Sequence, residues 1–483
     1  MNLQILSKAS IVAGCCITAA GLAGCNKQEP VRPNIILVMA DDQGWGDMGY
    51  NGHPILKTPN FDEMARTGLR FVRFYAAAPV SSPTRGSVMT GRHPNRYGCF
   101  SWGKTIRPQE ITVAEALKNA GYVTGHFGKW HLGPVRKESP ISPGNSGFDE
   151  WFSSPNFFDN DPILSREGKA VQTYGESSMV TVDAALEFIR KHAKKPTPFF
   201  AVVWFGSPHN PHLAVEEDRK LYEGMDERLQ HYYGEITGMD RAFGKLRQEL
   251  KTLGINKNTI LWYCSDNGGQ TKEYSSTGGR GQKGQIYEGG LRVPAIMEWP
   301  ARIPEHRITN LPCNTTDFYP TLLEIAGVNI EDQPPLDRIS LLPLIDNKME
   351  KRASPMGFWQ YPGSGQVVRS SELMAELLEE QETGVTTVDT SKLALNAGKI
   401  NIKYPADNFP GHSAWLDWPY KLHRINTNAG DIKFELYNLE TDTGETTDLC
   451  DENPEISASM RKELEMWLGS VINSLNGNDY KKN

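Results

Sequence analysis

Cysteine is scarce here, seven in 483 residues, and apart from Cys15-Cys16 each stands alone. Isolated Cys99, Cys264, Cys313 and Cys450 argue against a disulfide scaffold and show no metal-ligand spacing. Long apolar runs are also missing: the longest, Ala9 to Ala23, is too short and too rich in small residues to cross a membrane as a helix. Nor is there a basic surplus. With 51 Lys+Arg against 58 Asp+Glu the net charge is −7, which is not the footprint of a nucleic-acid-binding protein. If the substrate is anionic, a local cationic pocket must attract it. No internal repeat is found. What is present, 39% hydrophobic and 23% charged residues, suits a large core with one big domain and a smaller one.

The opening residues form a separate unit. Lys8 is the only charge before Cys25, and an apolar stretch follows it. This pattern predicts a signal peptide over 1–24. The stretch ends in Leu22-Ala23-Gly24-Cys25, which resembles a bacterial lipobox. That resemblance implies a lipid on Cys25, export across the inner membrane, and anchoring in the periplasm or at the outer membrane or cell surface. A tether over 25–32 leads to a catalytic domain over 33–352 and a C-terminal α+β subdomain over 353–483.

Asn34-Ile-Ile-Leu-Val-Met-Ala is a continuous apolar run, expected of a parallel strand buried on both faces. Further strands are predicted at Gly121–Phe127, Phe199–Phe205 and Thr259–Cys264. Between them, Asn60 with Glu63 and Thr112 with Glu115 read as helix cap pairs, closed by Gly68 and Gly121. A long amphipathic helix runs from about Arg228 to Leu253. The alternation predicts an α/β fold: a large mixed, mostly parallel sheet flanked by helices. Beyond Glu350, alternating segments around Trp415 and Phe434 predict a smaller antiparallel sheet capped by a final helix, Ile456–Leu475. The acidic run from Arg369 to Asp389 reads as a solvated helix and loop.

Polar residues break the buried strands at one end. The runs finish in Asp41-Asp42, Lys129-Trp130-His131, Ser207-Pro208-His209 and Asp266-Asn267. Ligands of open α/β sheets bind beyond the carboxyl ends of the strands, so four such ends imply one shared site. Asp41, Asp42, Asp266 and Asn267 offer oxygen alone, a set suited to calcium or magnesium and not to zinc. Ser81-Ser82-Pro83-Thr84-Arg85 places a serine just ahead of a proline-marked helix start, where free amides favour a nucleophile or an anion.

Ser81-x-Pro83-x-Arg85 followed by Thr90-Gly91 resembles the signature of the type I, formylglycine-dependent sulfatases of the alkaline phosphatase superfamily. Gly121 to Gly133 is similar to that family's second signature. Pro208-His209-x-Pro-His212, Ser265 to Gly269, Lys283 to Pro294 and Leu436 to Glu445 are similar to further family blocks, in order. The resemblance implies an alkaline phosphatase-like fold in which Ser81 is oxidised to formylglycine. It assigns Asp41, Asp42, Asp266, Asn267 and modified Ser81 to a metal, usually calcium. Arg85 would steady the formylglycine hydrate, and Lys129 and Lys283 would bind sulfate oxygens. His131 would take a proton during sulfate release, and His209 would protonate or stabilise the leaving alcohol, together with Lys283. His212, His412 and Trp415 are weaker substrate-binding candidates, and His126 reads as a packed core residue. Where many relatives carry Cys, this chain carries Ser81, which implies an anaerobic-type formylglycine maturase as partner. The expected substrate is sulfated carbohydrate, with its specificity set by loops near Asn156–Arg166 and Pro405–Trp418. Two rivals are a phosphonate monoester or phosphodiester hydrolase on the same site, and a non-catalytic sulfated-glycan-binding lipoprotein.

Overall fold

The structure is a computed structural model describing residues 32–480, except 386, 388, 428 and 429. The expected signal segment and lipidated Cys25 lie outside the described residues. Those that are described form an eleven-stranded sheet and a four-stranded sheet.

At the centre of the large sheet, Asn34–Ala40 pairs in parallel with Phe199–Trp204 on one side and Thr259–Ser265 on the other. Val123–Lys129 extends the parallel set beyond Phe199–Trp204. Arg292–Glu298 adds an antiparallel strand beside Thr259–Ser265. The apolar run has the predicted cause: successive side chains point to opposite faces. Ile35, Leu37 and Met39 enter one core layer, while Ile36, Val38 and Ala40 enter the other. The long helix, Glu227–Thr252, covers the second layer with Ile236, Met239, Phe243, Leu246 and Leu250.

Two local expectations shift. The strand expected from Gly121 begins at Val123 and ends at Lys129, because Gly121 (φ +89°) still closes the preceding helix. That shift puts Lys129, rather than Phe127, at the strand's carboxyl end. Asn60 is not a cap: the helix is Pro59–Thr67, with Pro59 at its first position. Its free amides are satisfied from a distance, where Asp240 of the long helix accepts from Asn60 N (3.2 Å) and Phe61 N (2.8 Å). Thr112 and Glu115 do form the reciprocal capping box.

The smaller sheet is antiparallel, in the order Met356–Gln360, His412–Asp417, Tyr420–Asn426, Ile432–Asn438. The helix Pro454–Leu475 packs Met460, Leu464, Leu468 and Ile472 against Trp359, Trp415, Leu422 and Leu436 on one face. Phe358, Ala414 and Leu416 face the other way and meet Tyr75, Ile286 and Leu291 of the large unit. The small sheet is thus an apolar wedge against the loops that follow the large sheet's strands.

Candidate functional site

All four polar strand ends converge. Asp41 follows the first strand and Asp266 follows its neighbour; Asp42 N donates to Asp266 Oδ1 (3.1 Å), closing the two loops together. Asn267 Nδ2 donates to Asp42 Oδ1 (2.8 Å). Carboxylate oxygens of Asp41, Asp42 and Asp266 lie within 4.8 Å of one another, and all three residues are buried. Asp42 and His131 both hold left-handed backbone, φ 65° and φ 55°. For residues other than glycine that conformation is uncommon and concentrates at functional sites.

Ser81 is the first residue of the helix Ser81–Thr90, not the residue ahead of it, and Pro83 is its third. The hydroxyl of Ser81 donates to Asp41 Oδ1 at 3.1 Å and stands 3.4 Å from Asn267 Oδ1. One turn on, Arg85 shares its face. Its Nε and Nη2 reach Asp266 Oδ2 (3.1 and 2.8 Å), and its guanidinium lies 5.1 Å from the centre of the Trp204 ring. Lys129 Nζ meets Asp41 Oδ2 at 2.6 Å, and Lys283 Nζ meets Asp42 Oδ2 at 2.6 Å. Three buried acids therefore interlock with three cations around one hydroxyl.

Charges held this close shift one another's protonation. Burial pushes Asp41 and Asp42 up, but Lys129 beside the first and Lys283 beside the second hold both below the usual carboxylate range. Asp266 is raised, by burial and then by Asp41 across the cluster. A crowded acid that Arg85 alone does not relieve suits a divalent cation: the oxygen-only donor set, its spacing and its burial all fit calcium or magnesium. Burial also holds His131 well below the usual histidine range, reinforced by Lys129 and Arg85. That shift favours the neutral ring, and both ring nitrogens are buried without a hydrogen-bond partner among the described residues. Such a group can accept a proton from whatever enters. His209 hydrogen-bonds Asn210 O through Nδ1 (2.6 Å), which fixes the proton there. That leaves Nε2 facing the site, 3.7 Å from Asp42 Oδ2, while Phe157 stacks on the ring at 4.1 Å.

Ser81, His131, His209 and Lys283 line one open cavity of about 820 Å³. Its volume lies within the range typical of ligand sites. The expected loop from Asn156 lines it through Asn156, Phe157 and Asp159. His412 and Trp415 are not among its lining residues. His412 bonds His423 across the small sheet (Nε2 to Nδ1, 2.9 Å), and Trp415 packs beneath the C-terminal helix with its Nε1 on Glu463. His212 packs edge-on against Tyr274 and beside Tyr232, also outside the lining. His126 is a core residue, bonded to Ser153.

The acidic run from Arg369, expected to be solvated, supplies cavity wall through Arg369, Ser370 and Ser371, next to Val367 and Val368 just before it. Its helix, Ser370–Thr383, buries Met374 and Leu377. That face was written in the spacing of Leu373, Met374 and Leu377, which the density of acids concealed. Trp102, 39% exposed at the cavity rim, carried no sequence signal because its neighbours there come from distant loops.

A family model described as Sulfatase matches residues 33–328. N-acetylgalactosamine-6-sulfatase of Canis lupus familiaris is 35% identical over 367 residues, 68% of this chain and 68% of that protein. The solved structure of Ps i-CgsB in complex with k-i-k-neocarrahexaose superposes with TM-score 0.76 at 25% identity, covering 92% of this chain and 94% of that one. The phosphonate monoester hydrolase of Agrobacterium radiobacter shares the fold, with TM-score 0.60 at 20% identity and coverage of 92% and 97%.

Proposed function

This chain belongs to the sulfatase family and is a sulfuric ester hydrolase, and from that premise we propose that it desulfates carbohydrate through a formylglycine made from Ser81. One observation carries the reading. The Ser81 hydroxyl lies at a helix start, 3.1 Å from Asp41 and 3.4 Å from Asn267, opening onto a cavity that Lys283, His131 and His209 also line.

Sulfate monoesters resist attack because the group is anionic and the alkoxide leaves poorly. Lys283 and, deeper, Lys129 offset the sulfate's charge, the local cationic pocket that an acidic chain requires. Asp41, Asp42, Asp266 and Asn267 would hold calcium, which when bound neutralises charge and lowers the pKa of the hydroxyl it touches. Once oxidised and hydrated, Ser81 would offer a second hydroxyl able to expel sulfate by collapse to the aldehyde. Arg85, fixed on Asp266, steadies the residue one turn before it. His209, in the imidazolium form that the neighbouring Asp42 carboxylate favours, would hand its Nε2 proton to the departing sugar oxygen while Nδ1–H stays on Asn210 O, and neutral His131 would take a proton up as sulfate leaves. A carbohydrate substrate is supported by the named activity of the canine relative and by the oligosaccharide bound to Ps i-CgsB. A lipid anchor at Cys25, placement in the periplasm or at the outer membrane, and an anaerobic-type maturase complete the proposal. The lipobox-like sequence and the serine at position 81 support them.

The test is sulfate release from a panel of singly sulfated sugars. It would use protein co-expressed with a radical-type maturase, with Ser81→Ala as control and peptide mass reporting the loss of two hydrogens at Ser81. We expect release from at least one sugar by matured protein and none from Ser81→Ala. Hydrolysis of a phosphonate monoester or phosphodiester, read as the released alcohol, with every sugar silent, would overturn the carbohydrate reading.

A further inference from the structure

Two blocks of the sequence are unused by this scheme: the stretch that follows Lys283 and the segment ending at Glu445. They meet in one buried cluster. Lys421, in the third strand of the small sheet and wholly buried, places its ammonium 3.0 Å from Glu288 Oε1 and 3.0 Å from Glu445 Oε1. Glu288 N donates to Glu445 Oε2 at 2.7 Å, and Tyr75 OH donates to Glu288 Oε2 at 3.0 Å. His423 Nε2 adds a contact to Glu445 Oε1 at 2.9 Å. Lys421, Glu288 and Glu445 are each at most 1% exposed, and none is among the residues lining the cavity.

The cluster holds the turn that carries Lys283. Glu288 is five residues further along, and the chain between is folded tightly back: Gly289 N donates to Arg280 O (2.6 Å) and Gln285 N to Gln282 O (3.0 Å). Arg280 in turn donates to Glu445 O and to Tyr437 OH, both at 3.0 Å, while its guanidinium lies over Tyr287 at 3.9 Å. On its other side the turn is tied to the catalytic loops. Lys283 N donates to Gly269 O (2.9 Å), Gly284 N to Pro79 O (2.9 Å) and Gly268 N to Gly290 O (3.0 Å). Glu445 takes a left-handed φ of 50°, a strained conformation for a glutamate that persists only where surrounding contacts enforce it.

We propose that Lys421, Glu288 and Glu445 are positioning residues for Lys283, through which the small sheet sets the place of the sulfate-binding ammonium. The sheet then acts on catalysis without touching substrate. This inference rests on the proposed role of Lys283. A buried ammonium and two carboxylates have few other arrangements, since each would be left unpaired by movement of the others. The turn therefore has one position, and Lys283 Nζ stays beside Asp42.

The experiment is a double-mutant cycle on the full, matured chain, read by calorimetric binding of inorganic sulfate and by kcat and KM on the best sugar sulfate. Lys421→Met and Lys283→Ala are made singly and together. Glu445→Gln, which keeps an acceptor for the Glu288 amide, serves where Lys421→Met does not fold. We expect either cluster variant to weaken sulfate binding about tenfold, to raise KM more than it lowers kcat, and to cost nothing further once Lys283 is alanine. Unchanged sulfate binding, or a loss that adds in full to that of Lys283→Ala, overturns the inference. Sulfate binding that follows the expected cycle while every sugar sulfate stays uncleaved upholds the inference and overturns the carbohydrate reading instead.

Discussion

The imidazole of His209 is held from three sides. Asn210 O accepts a hydrogen bond from its Nδ1, Phe157 lies flat on its face, and Asp42 stands 3.7 Å from Nε2. In the proposed scheme a ring so fixed, once protonated on both nitrogens, would act as an acid in one direction only, toward the departing oxygen. Its value therefore depends on how poorly that oxygen leaves. Replacing it by alanine should slow a sugar sulfate by about 10²–10⁴-fold, the usual worth of general acid catalysis. The same variant should slow 4-nitrophenyl sulfate, whose phenolate needs no proton, by less than about tenfold. Comparing kcat/KM on both substrates decides it; equal losses would mean that His209 positions sulfate instead. At this scale much was legible in the sequence. Acids, lysines and histidines ended apolar runs where only a site explains them. The left-handed turns at Asp42 and His131, which aim two of these groups, were not legible, because no local residue pattern demands them.

Helix Ser370–Thr383 was legible as a helix but not as a wall. Its acidic surface suggests water on every side, yet its anchoring is specific. Ser370 Oγ accepts from Asn156 N (2.8 Å) at one end. At the other, Glu380 grips Arg136 with both oxygens (2.6 and 2.9 Å), and Gln381 exchanges hydrogen bonds with Ala170 (2.6 and 3.1 Å). Those partners lie more than two hundred residues away, which is why the sequence could not disclose them. Removing Glu380 and Gln381 together by alanine should loosen the wall without touching the catalytic cluster. The expected result is a KM for a sulfated oligosaccharide raised by about three- to tenfold, since about 1 kcal/mol of lost anchoring corresponds to that factor. Turnover of 4-nitrophenyl sulfate, too small to need the wall, should stay within about twofold. A matching rise in KM for the aryl ester would show that the helix supports the sulfate site itself.

Across the whole molecule the two sheets were both foreseeable, whereas the contacts joining them were not, because they pair single residues from distant segments. One such junction contributes to acid sensitivity. His93 packs its ring edge-on against Trp467 of the C-terminal helix, and its amide donates to Asp337 Oδ2 (2.8 Å). Asp337 also takes Trp467 Nε1 (2.7 Å) and both sides of the Arg96 guanidinium. Burial holds His93 down to about 3, from an ordinary value of 6.5. Burial alone would raise Asp337, but Arg96 beside it holds that carboxyl well below its ordinary 3.8. Both groups therefore have folded values below their unfolded ones, and both stabilise the protein fully above the unfolded value. The contribution of His93 is lost as pH falls from 6.5 toward about 3, where the unfolded chain binds a proton that the folded chain refuses. That of Asp337 is lost only below 3.8. At about 1.4 kcal/mol per unit the His93 step is worth a few kcal/mol, and His412 and His423, also held low by burial, add to the loss over the same window. Denaturation midpoints measured between pH 7 and 4 should fall steadily for the parent chain. With His93→Gln, which keeps an acceptor for Asn95 N but cannot titrate, they should start lower and decline less. Parallel curves for the two proteins would place the acid-sensitive group elsewhere and leave this junction a packing contact alone.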